Sequence, residues 1–291
     1  MKNISENKKI NRLENNFLTI EKHSDWVNNI IILSDGRLSS CSKDCSINIY
    51  NKDNYEVDIQ IKDNKDIKYH LELSNKNIIS CGGKTLKIYE IKNNDYNLIN
   101  TIEDDENVNK VIELENNKLI TSGYKKIKVW KFENNQYKCI NTIEIWEYGD
   151  LTNILKINEN KLVSSSGQNH IMKFFDLNND FKELSTLTLV KPFIICYCMC
   201  MVDDQNLLLG GVNEIALVNI NTYQLISHNL LNYSTNLYIQ SIIKLRNGNI
   251  LTGFNFDCTG KYCLCEYKFE NNNLIEIKSK KSAHEKILYL D

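Results

Sequence analysis

The residue types of a hydrolytic triad occur close together early in the chain, as His23, Ser40 and Asp44. Such residues can serve as nucleophile, general base and orienting acid when a fold brings them into hydrogen-bond contact. The sequence shows no G-x-S-x-G nucleophile elbow around Ser40 and no glycine-rich phosphate loop. The trio therefore needs a structural context before it can be given a role.

The cysteines form a second pattern with possible chemistry, because Cys196, Cys198 and Cys200 alternate along an apolar segment. Zinc sites usually take their first two cysteines from one turn, so that both thiolates converge on the metal. A strand instead places alternate residues on one face, about 7 Å apart, against the neighbouring layer. We therefore favour packing over metal binding, and we predict no metal site and no cofactor.

The histidines share no spacing motif, which leaves metal ligation and joint acid-base chemistry without sequence support. They stand at His23, His70, His170, His228 and His284.

Composition narrows the classes of partner. The formal net charge is −2, and arginine is confined to Arg12, Arg37 and Arg246. Phosphate-tracking surfaces depend on dense basic charge, so nucleic acid is not an expected partner. No apolar run reaches the roughly 18 residues that a membrane helix needs, and residues 1–9 lack the apolar core of a signal peptide. We expect a cytoplasmic protein, with a nuclear location also compatible, whose ten cysteines are reduced.

Polar turns recur along the sequence at nearly constant distance. The steps between their second residues are 40, 41, 43, 45 and 43, which is the period of a four-stranded propeller blade. The turns lie at residues 34–37, 74–77, 115–118, 158–161, 203–206 and 246–249.

Each turn joins two apolar segments, as expected of a hairpin formed by strands a and b. A third segment with alternating polarity follows as strand c, and a second family of turns connects it to strand d. Asparagine is frequent in that second family because it tolerates positive φ better than other residues with a side chain. These turns lie at residues 51–54, 92–95, 133–136, 177–180, 219–222 and 270–273.

The two ends of the sequence suggest one further unit. Residues 8–16 resemble a c-to-d turn, and residues 285–290 resemble a strand a with nothing after it. We therefore predict an all-β single domain over residues 1–291, a seven-bladed propeller whose last blade is shared by about 1–22 and 284–291. The alternative is a six-bladed ring with frayed ends.

The first repeat resembles the WD40 family. Residues 23–30, 33–36 and 40–50 match the family pattern in order, whereas the later repeats keep only fragments and no Trp-Asp dipeptide occurs. The resemblance implies a WD40-type β-propeller in which His23, Ser40, Asp44 and Tyr50 form a stabilising hydrogen-bond network inside the blade. On this interpretation the trio is structural, and the protein is not an enzyme.

The resemblance also implies that partners bind the face carrying the d-to-a and b-to-c loops. We expect a non-enzymatic scaffold that binds a protein or peptide within a larger assembly, as a monomeric ring. The alternatives are a substrate-recognition module of a ubiquitin-ligase-type complex and a propeller enzyme. The candidate binding residues on this face are Trp26, Lys43, Asp66, Asn107, Trp146, Tyr148, Asp150 and Tyr238.

Overall fold

The described part of the protein forms six four-stranded antiparallel sheets. The structure is a computed structural model and describes residues 20–145, 151–166, 171–189, 196–230, 237–256, 262–270 and 273–281. Within each sheet the strands pair in sequence order, so that each sheet is a simple meander. We call the sheets blades 1 to 6 and their strands a to d. No helix that could cross a membrane is found in these residues.

The first three blades lie in the first half of the sequence. Blade 1 comprises β1 (Val27–Ile32), β2 (Leu38–Ser42), β3 (Ser46–Tyr50) and β4 (Val57–Lys62). Blade 2 comprises β5 (Tyr69–Glu72), β6 (Ile78–Gly82), β7 (Thr85–Lys92) and β8 (Asp95–Glu103). Blade 3 comprises β9 (Lys110–Leu114), β10 (Lys118–Ser122), β11 (Lys126–Glu133) and β12 (Gln136–Glu144).

The other three blades follow the same plan. Blade 4 comprises β13 (Leu151–Asn158), β14 (Lys161–Ser166), β15 (Ile171–Asp176) and β16 (Lys182–Thr188). Blade 5 comprises β17 (Cys198–Met201), β18 (Asn206–Gly210), β19 (Glu214–Asn219) and β20 (Gln224–Leu230). Blade 6 comprises β21 (Leu237–Lys244), β22 (Ile250–Phe256), β23 (Tyr262–Glu270) and β24 (Asn273–Lys281).

The a strands of successive blades lie side by side, in the order β1, β5, β9, β13, β17 and β21. This is the arrangement of inner strands around the central channel of a propeller. The prediction of an all-β propeller is therefore confirmed.

The predicted number of blades was wrong, because the described residues form six blades and not seven. The seventh was inferred from a turn-like segment at residues 8–16 and a strand-like segment at 285–290. A turn between apolar runs is a local signal, whereas a blade needs four strands that pair. The proposed closure, by about 1–22 and 284–291, falls almost entirely outside the described residues.

The asparagine-rich turns have the predicted backbone conformation. Asn93 and Asn94 have φ of 52° and 59°, and Asn134 and Asn135 have φ of 51° and 63°. Two successive positive φ values characterise the tight hairpin turn whose twist matches that of the flanking strands. These turns connect strands c and d in blades 2 and 3.

The core is divided into apolar layers between successive blades. Between blades 2 and 3, for example, Ile79, Leu86 and Ile88 pack with Val111 and Leu119, and all five are almost fully buried. Equivalent clusters fill the other interfaces from blade 1 to blade 6. Each blade is therefore held chiefly by its neighbours, as in other repeat architectures.

Every d strand carries a β-bulge at the same place. In each blade one residue of strand d lies opposite the strand-c residue that is equivalent to Tyr50, and the next residue of strand d is unpaired. In blade 2 the unpaired residue is Ile99, between Leu98 and Asn100. A bulge bends an edge strand and interrupts its ladder, which discourages pairing with another sheet. The extra residues are Asp58, Ile99, Ile140, Leu184, Ile226 and Ile277.

Serine and glutamate link neighbouring blades at the a-to-b turns. Ser34 donates its backbone N–H and its hydroxyl to the Glu72 carboxylate, over 2.6 and 2.8 Å. Ser74 donates in the same way to Glu113, over 2.7 and 2.8 Å. The repeated geometry joins blade 1 to blade 2 and blade 2 to blade 3.

His70 lies in the buried interface between blades 1 and 2. Its Nε2 atom is 2.9 Å from the Ser39 hydroxyl, and its Nδ1 atom has no hydrogen-bond partner among the described residues. Complete burial, with a smaller contribution from His23, lowers the pKa of His70 to about 3. The folded protein therefore keeps this imidazole neutral well below the ordinary pKa of histidine.

We predict that Glu113→Ala lowers the free energy of unfolding by about 1 kcal/mol, because two hydrogen bonds to a carboxylate are lost. Urea unfolding would measure the change. Glu115→Ala is the matched control, since Glu115 is exposed two residues away and has no partner among the described residues. Equal effects of the two substitutions would contradict a role for the link between blades.

We also predict that His70 makes the fold sensitive to acid. Below about pH 6.5 the unfolded protein binds a proton at His70 and the folded protein does not, so stability falls with pH until the folded pKa of about 3 is reached. At pH 5 the loss is about 2 kcal/mol. In His70→Gln this contribution disappears, so the unfolding free energy falls less between pH 7 and pH 5 than it does in wild type. An unchanged pH profile would refute the role of His70 in acid sensitivity.

Candidate functional site

The structure brings His23, Ser40, Asp44 and Tyr50 together in blade 1. His23 Nδ1 is 2.9 Å from Asp44 Oδ2, and His23 Nε2 is 2.7 Å from the Ser40 hydroxyl. The Ser40 hydroxyl is also 2.8 Å from the Tyr50 hydroxyl. Strands b and c, the turn between them and the loop before strand a are thus joined by one series of hydrogen bonds, as the resemblance implied.

The two hydroxyl groups of this network are buried. Ser40 and Tyr50 are each only 1% exposed, and the Ser40 hydroxyl already contacts two partners. Burial alone would raise the pKa of Asp44, but hydrogen bonds from Ser46, Ser24 and His23 outweigh burial and lower that pKa. The half-buried Asp44 carboxylate is paired at both oxygens and stabilises the blade, whereas a nucleophile must be reachable.

Trp26 and Lys43 form an exposed pair on the loop face. Trp26 is 62% exposed, and the Lys43 ammonium lies 5.0 Å from the centroid of its ring. The Lys43 backbone N–H donates to the Trp26 carbonyl over 2.8 Å. The backbone therefore fixes the two side chains next to each other while both remain open to solvent.

The other candidates on this face are distributed among different blades. Asp66 accepts a hydrogen bond from Asn28 over 2.9 Å and pairs with Lys68 at 2.6 Å. Asn107 is exposed, and Tyr238 packs edge-on against Tyr197 with ring centroids 5.6 Å apart.

The remaining three candidates belong to the loop that precedes strand a of blade 4. Trp146, Tyr148 and Asp150 lie outside the described residues.

Blades 2 and 3 use a different network at the place of His23, which the sequence analysis did not identify. Asp63 stands at that place in blade 2, where it pairs with Lys87 at 2.6 Å and accepts a hydrogen bond from the Tyr89 hydroxyl over 3.2 Å. Lys87 lies two residues before Tyr89, the counterpart of Tyr50. The sequence contains a signal for this network, because an aspartate lies three residues before each counterpart of Trp26 in these two blades, as His23 does before Trp26 itself.

In blade 3 the same positions are taken by Asp104 and Lys128. The Lys128 ammonium contacts the carboxylates of both Asp104 and Asp105, while Trp130 donates its indole N–H to the Thr121 hydroxyl over 2.9 Å. Burial would lower the pKa of Lys128, but the bonds to the two aspartates raise it. An acid and a lysine thus replace the histidine network of blade 1.

The alternating cysteines pack in the interface between blades. Cys196 and Cys198 are buried, and the Cys198 thiol donates to the Ile239 carbonyl of blade 6 over 3.3 Å. Burial raises the pKa of Cys196 to about 12. Among the described residues, no group of three or more histidine, cysteine, aspartate and glutamate side chains is arranged to hold a metal ion.

We predict that Lys87→Met destabilises the protein by about 3 kcal/mol, because it leaves the Asp63 carboxylate, whose side chain is 7% exposed, without its cation. Lys92→Met is the control: Lys92 pairs with Glu90 at the surface, its side chain is 66% exposed, and the expected loss is below about 1 kcal/mol. Urea unfolding of both variants provides the comparison. Adding Asp63→Asn to Lys87→Met should recover part of the loss; a failure to recover would argue against the pair.

Comparison with known proteins agrees with this geometry. The family model described as "WD domain, G-beta repeat" matches residues 15–51, and no curated protein sequence matches the protein. The WD40 β-propeller domain of Doa1 superposes with a TM-score of 0.69 at 16% identity, covering 94% of this protein and 85% of that one.

Two further solved structures share the fold. U3-55K has a TM-score of 0.73 at 13% identity, over 90% of this protein and 83% of that one. The WD40 repeats of RRP9 have a TM-score of 0.73 at 13% identity, over 90% of this protein and 82% of that one. Residues 15–51 therefore match a WD40 repeat, and the likeness of the described structure to these domains shows a β-propeller fold.

Proposed function

We propose that this protein is a non-enzymatic scaffold whose loop face binds a protein or peptide partner. The observation that carries the proposal is the exposed Trp26 ring with the Lys43 ammonium above it. Tryptophan is among the residue types that most often dominate binding energy at interfaces. WD40 propellers generally bind protein partners, which supports the same conclusion.

The loop face can present several contacts at once, because each loop is anchored in its own blade. Lys43 and Trp26 come from blade 1, Asp66 from the loop before blade 2, and Asn107 from the loop before blade 3. Rigid blades that hold variable loops suit recognition of a peptide or a folded surface. The proposed binding face extends to blade 6, where Tyr238 packs on Tyr197.

We further propose that the protein works in the cytoplasm. Cys41, Cys81, Cys196 and Cys198 are buried free thiols in the described structure. Such thiols are typical of reducing compartments, whereas secreted domains usually form disulfides.

We predict that Trp26→Ala combined with Tyr238→Ala abolishes capture of the partner from an extract of the native cell, measured by quantitative mass spectrometry. Ile32→Ala is the matched control, because Ile32 is 63% exposed at the far end of the strand that follows Trp26. Melting temperatures should stay within a few degrees of wild type. If the double variant and wild type captured identical proteins, the loop face would not be the binding surface.

A further inference from the structure

Lys110 reaches across the inner edge of three blades. It is the first residue of β9 in blade 3, and its ammonium donates to the Asn153 amide oxygen of blade 4 over 2.8 Å. The same ammonium lies 5.2 Å from the centroid of the Tyr69 ring in blade 2. The Lys110 side chain thus bridges the inner strands of blades 2, 3 and 4.

Lys110 is the charged member of one layer of inner-strand residues. The layer is defined by register: each member pairs with the same position of strand b in its own blade. Its members are Asn29, Tyr69, Lys110, Asn153, Cys198 and Ser241. The other five carry no formal charge at neutral pH, so the layer has one positive centre.

The polar groups beside Lys110 are already engaged with the next blade. The Asn153 amide N–H donates to the Tyr197 carbonyl over 3.4 Å, and the Cys198 thiol donates to the Ile239 carbonyl over 3.3 Å. Of the three ammonium hydrogens of Lys110, the described structure engages one, with Asn153. The other two donors have no acceptor among the described residues.

Two lysines on strand c of blades 2 and 3 have carboxylate partners, and Lys110 does not. Lys87 pairs with Asp63, and Lys128 contacts Asp104. No aspartate or glutamate among the described residues is within ion-pair distance of Lys110.

The groups that act on Lys110 electrostatically are thiols, first of all Cys198 and then Cys81 and Cys196. Burial raises the pKa of both Cys81 and Cys196 to about 12, so they stay neutral and supply no counter-charge. Burial in turn lowers the pKa of Lys110 to about 8. A cation held in this way gains much from an incoming anion, since a buried charge is costly until it is paired.

We propose that Lys110 receives a carboxylate of the bound partner, either from an aspartate or glutamate residue or from the partner's C-terminus, at the entrance of the channel. This inference rests on the proposed function, because Lys110 follows Asn107 of the loop face by three residues, roughly 10 Å along an extended strand. A carboxylate needs few donors, and the two open N–H groups match it. A phosphate would bring more charge and a third oxygen that finds no donor here.

The test measures the pKa of Lys110 by NMR of the full-length protein with lysine ¹³C-labelled at Cε incorporated, which leaves all three ammonium hydrogens in place, and Lys110→Arg identifies the signal. The probes are N-acetylglutamic acid α-amide, which mimics an acidic residue, and N-acetylglycine, which mimics a C-terminus. We expect one of them to raise the pKa of Lys110 by about one unit, a tenfold coupling. N-acetylglutamine α-amide should leave it unchanged, as should every probe for the exposed Lys76.

Three outcomes would overturn the proposal. The first is no response of Lys110 to either carboxylate, and the second is a response to inorganic phosphate alone. The third is a lower pKa of Lys110 in Asp150→Asn without any probe, because the protein itself would then supply the anion from the loop before blade 4.

Partner capture separates this inference from the proposed function. Lys110→Met should fold at least as stably as wild type, because it removes a buried charge without a carboxylate partner, and should lose at least tenfold in partner affinity. Lys110→Arg should retain binding. If Lys110→Met bound the partner as wild type does while Trp26→Ala with Tyr238→Ala did not, the loop face would stand and the carboxylate site would fall.

Discussion

Each of the first three blades has to bury polar side chains at the same place, between strand c and the loop that precedes strand a, and the rest of the structure depends on their being paired. A buried polar group without a partner costs several times what a hydrogen bond contributes. Blade 1 meets this constraint with His23, Asp44 and Ser40. Blades 2 and 3 meet it with Asp63 and Lys87, and with Asp104 and Lys128. The loops that begin there are held in place by these pairs, and those loops carry Trp26, Asp66 and Asn107.

Lys110 departs from this rule. It is half-buried, as Lys87 is, yet its described contacts are an amide, an aromatic ring and neutral thiols. Lys87 and Lys128 are paired with carboxylates, whereas on our proposal the anion for Lys110 comes from a ligand. The contrast between Lys110 and Lys128, within one blade, is the strongest reason to treat the first as a binding group and the second as a structural one.

Much of the fold was predictable from the sequence because its signals are local. The a-to-b turns, the c-to-d turns and the positive φ of Asn93 and Asn134 follow from residue types a few positions apart. The count of seven blades failed for the same reason, since a turn-like segment such as residues 8–16 reports nothing about pairing. The pair of Asp63 and Lys87 spans 24 residues and joins a loop to a strand. Its two members could be found in the sequence only by aligning the blades with one another. The contacts of Lys110 could not be predicted from the sequence, because they depend on how neighbouring blades are arranged in three dimensions.

The bulges on the d strands have a consequence for the ways in which this protein can associate. A partner that adds a strand to a sheet needs an uninterrupted ladder of backbone groups, and the outer edges of the six described blades are all interrupted at the equivalent residue. At five of these six bulges the extra residue is an exposed isoleucine or leucine. On a regular edge strand such residues would favour self-association. The interruption lies in the backbone register and does not depend on the side chains. Apolar residues at these positions of the outer strands therefore do not lead to self-association through strand pairing. This agrees with our proposal that the side chains of the loops recognise the partner, since those side chains can change without altering the strand pairing of the blades.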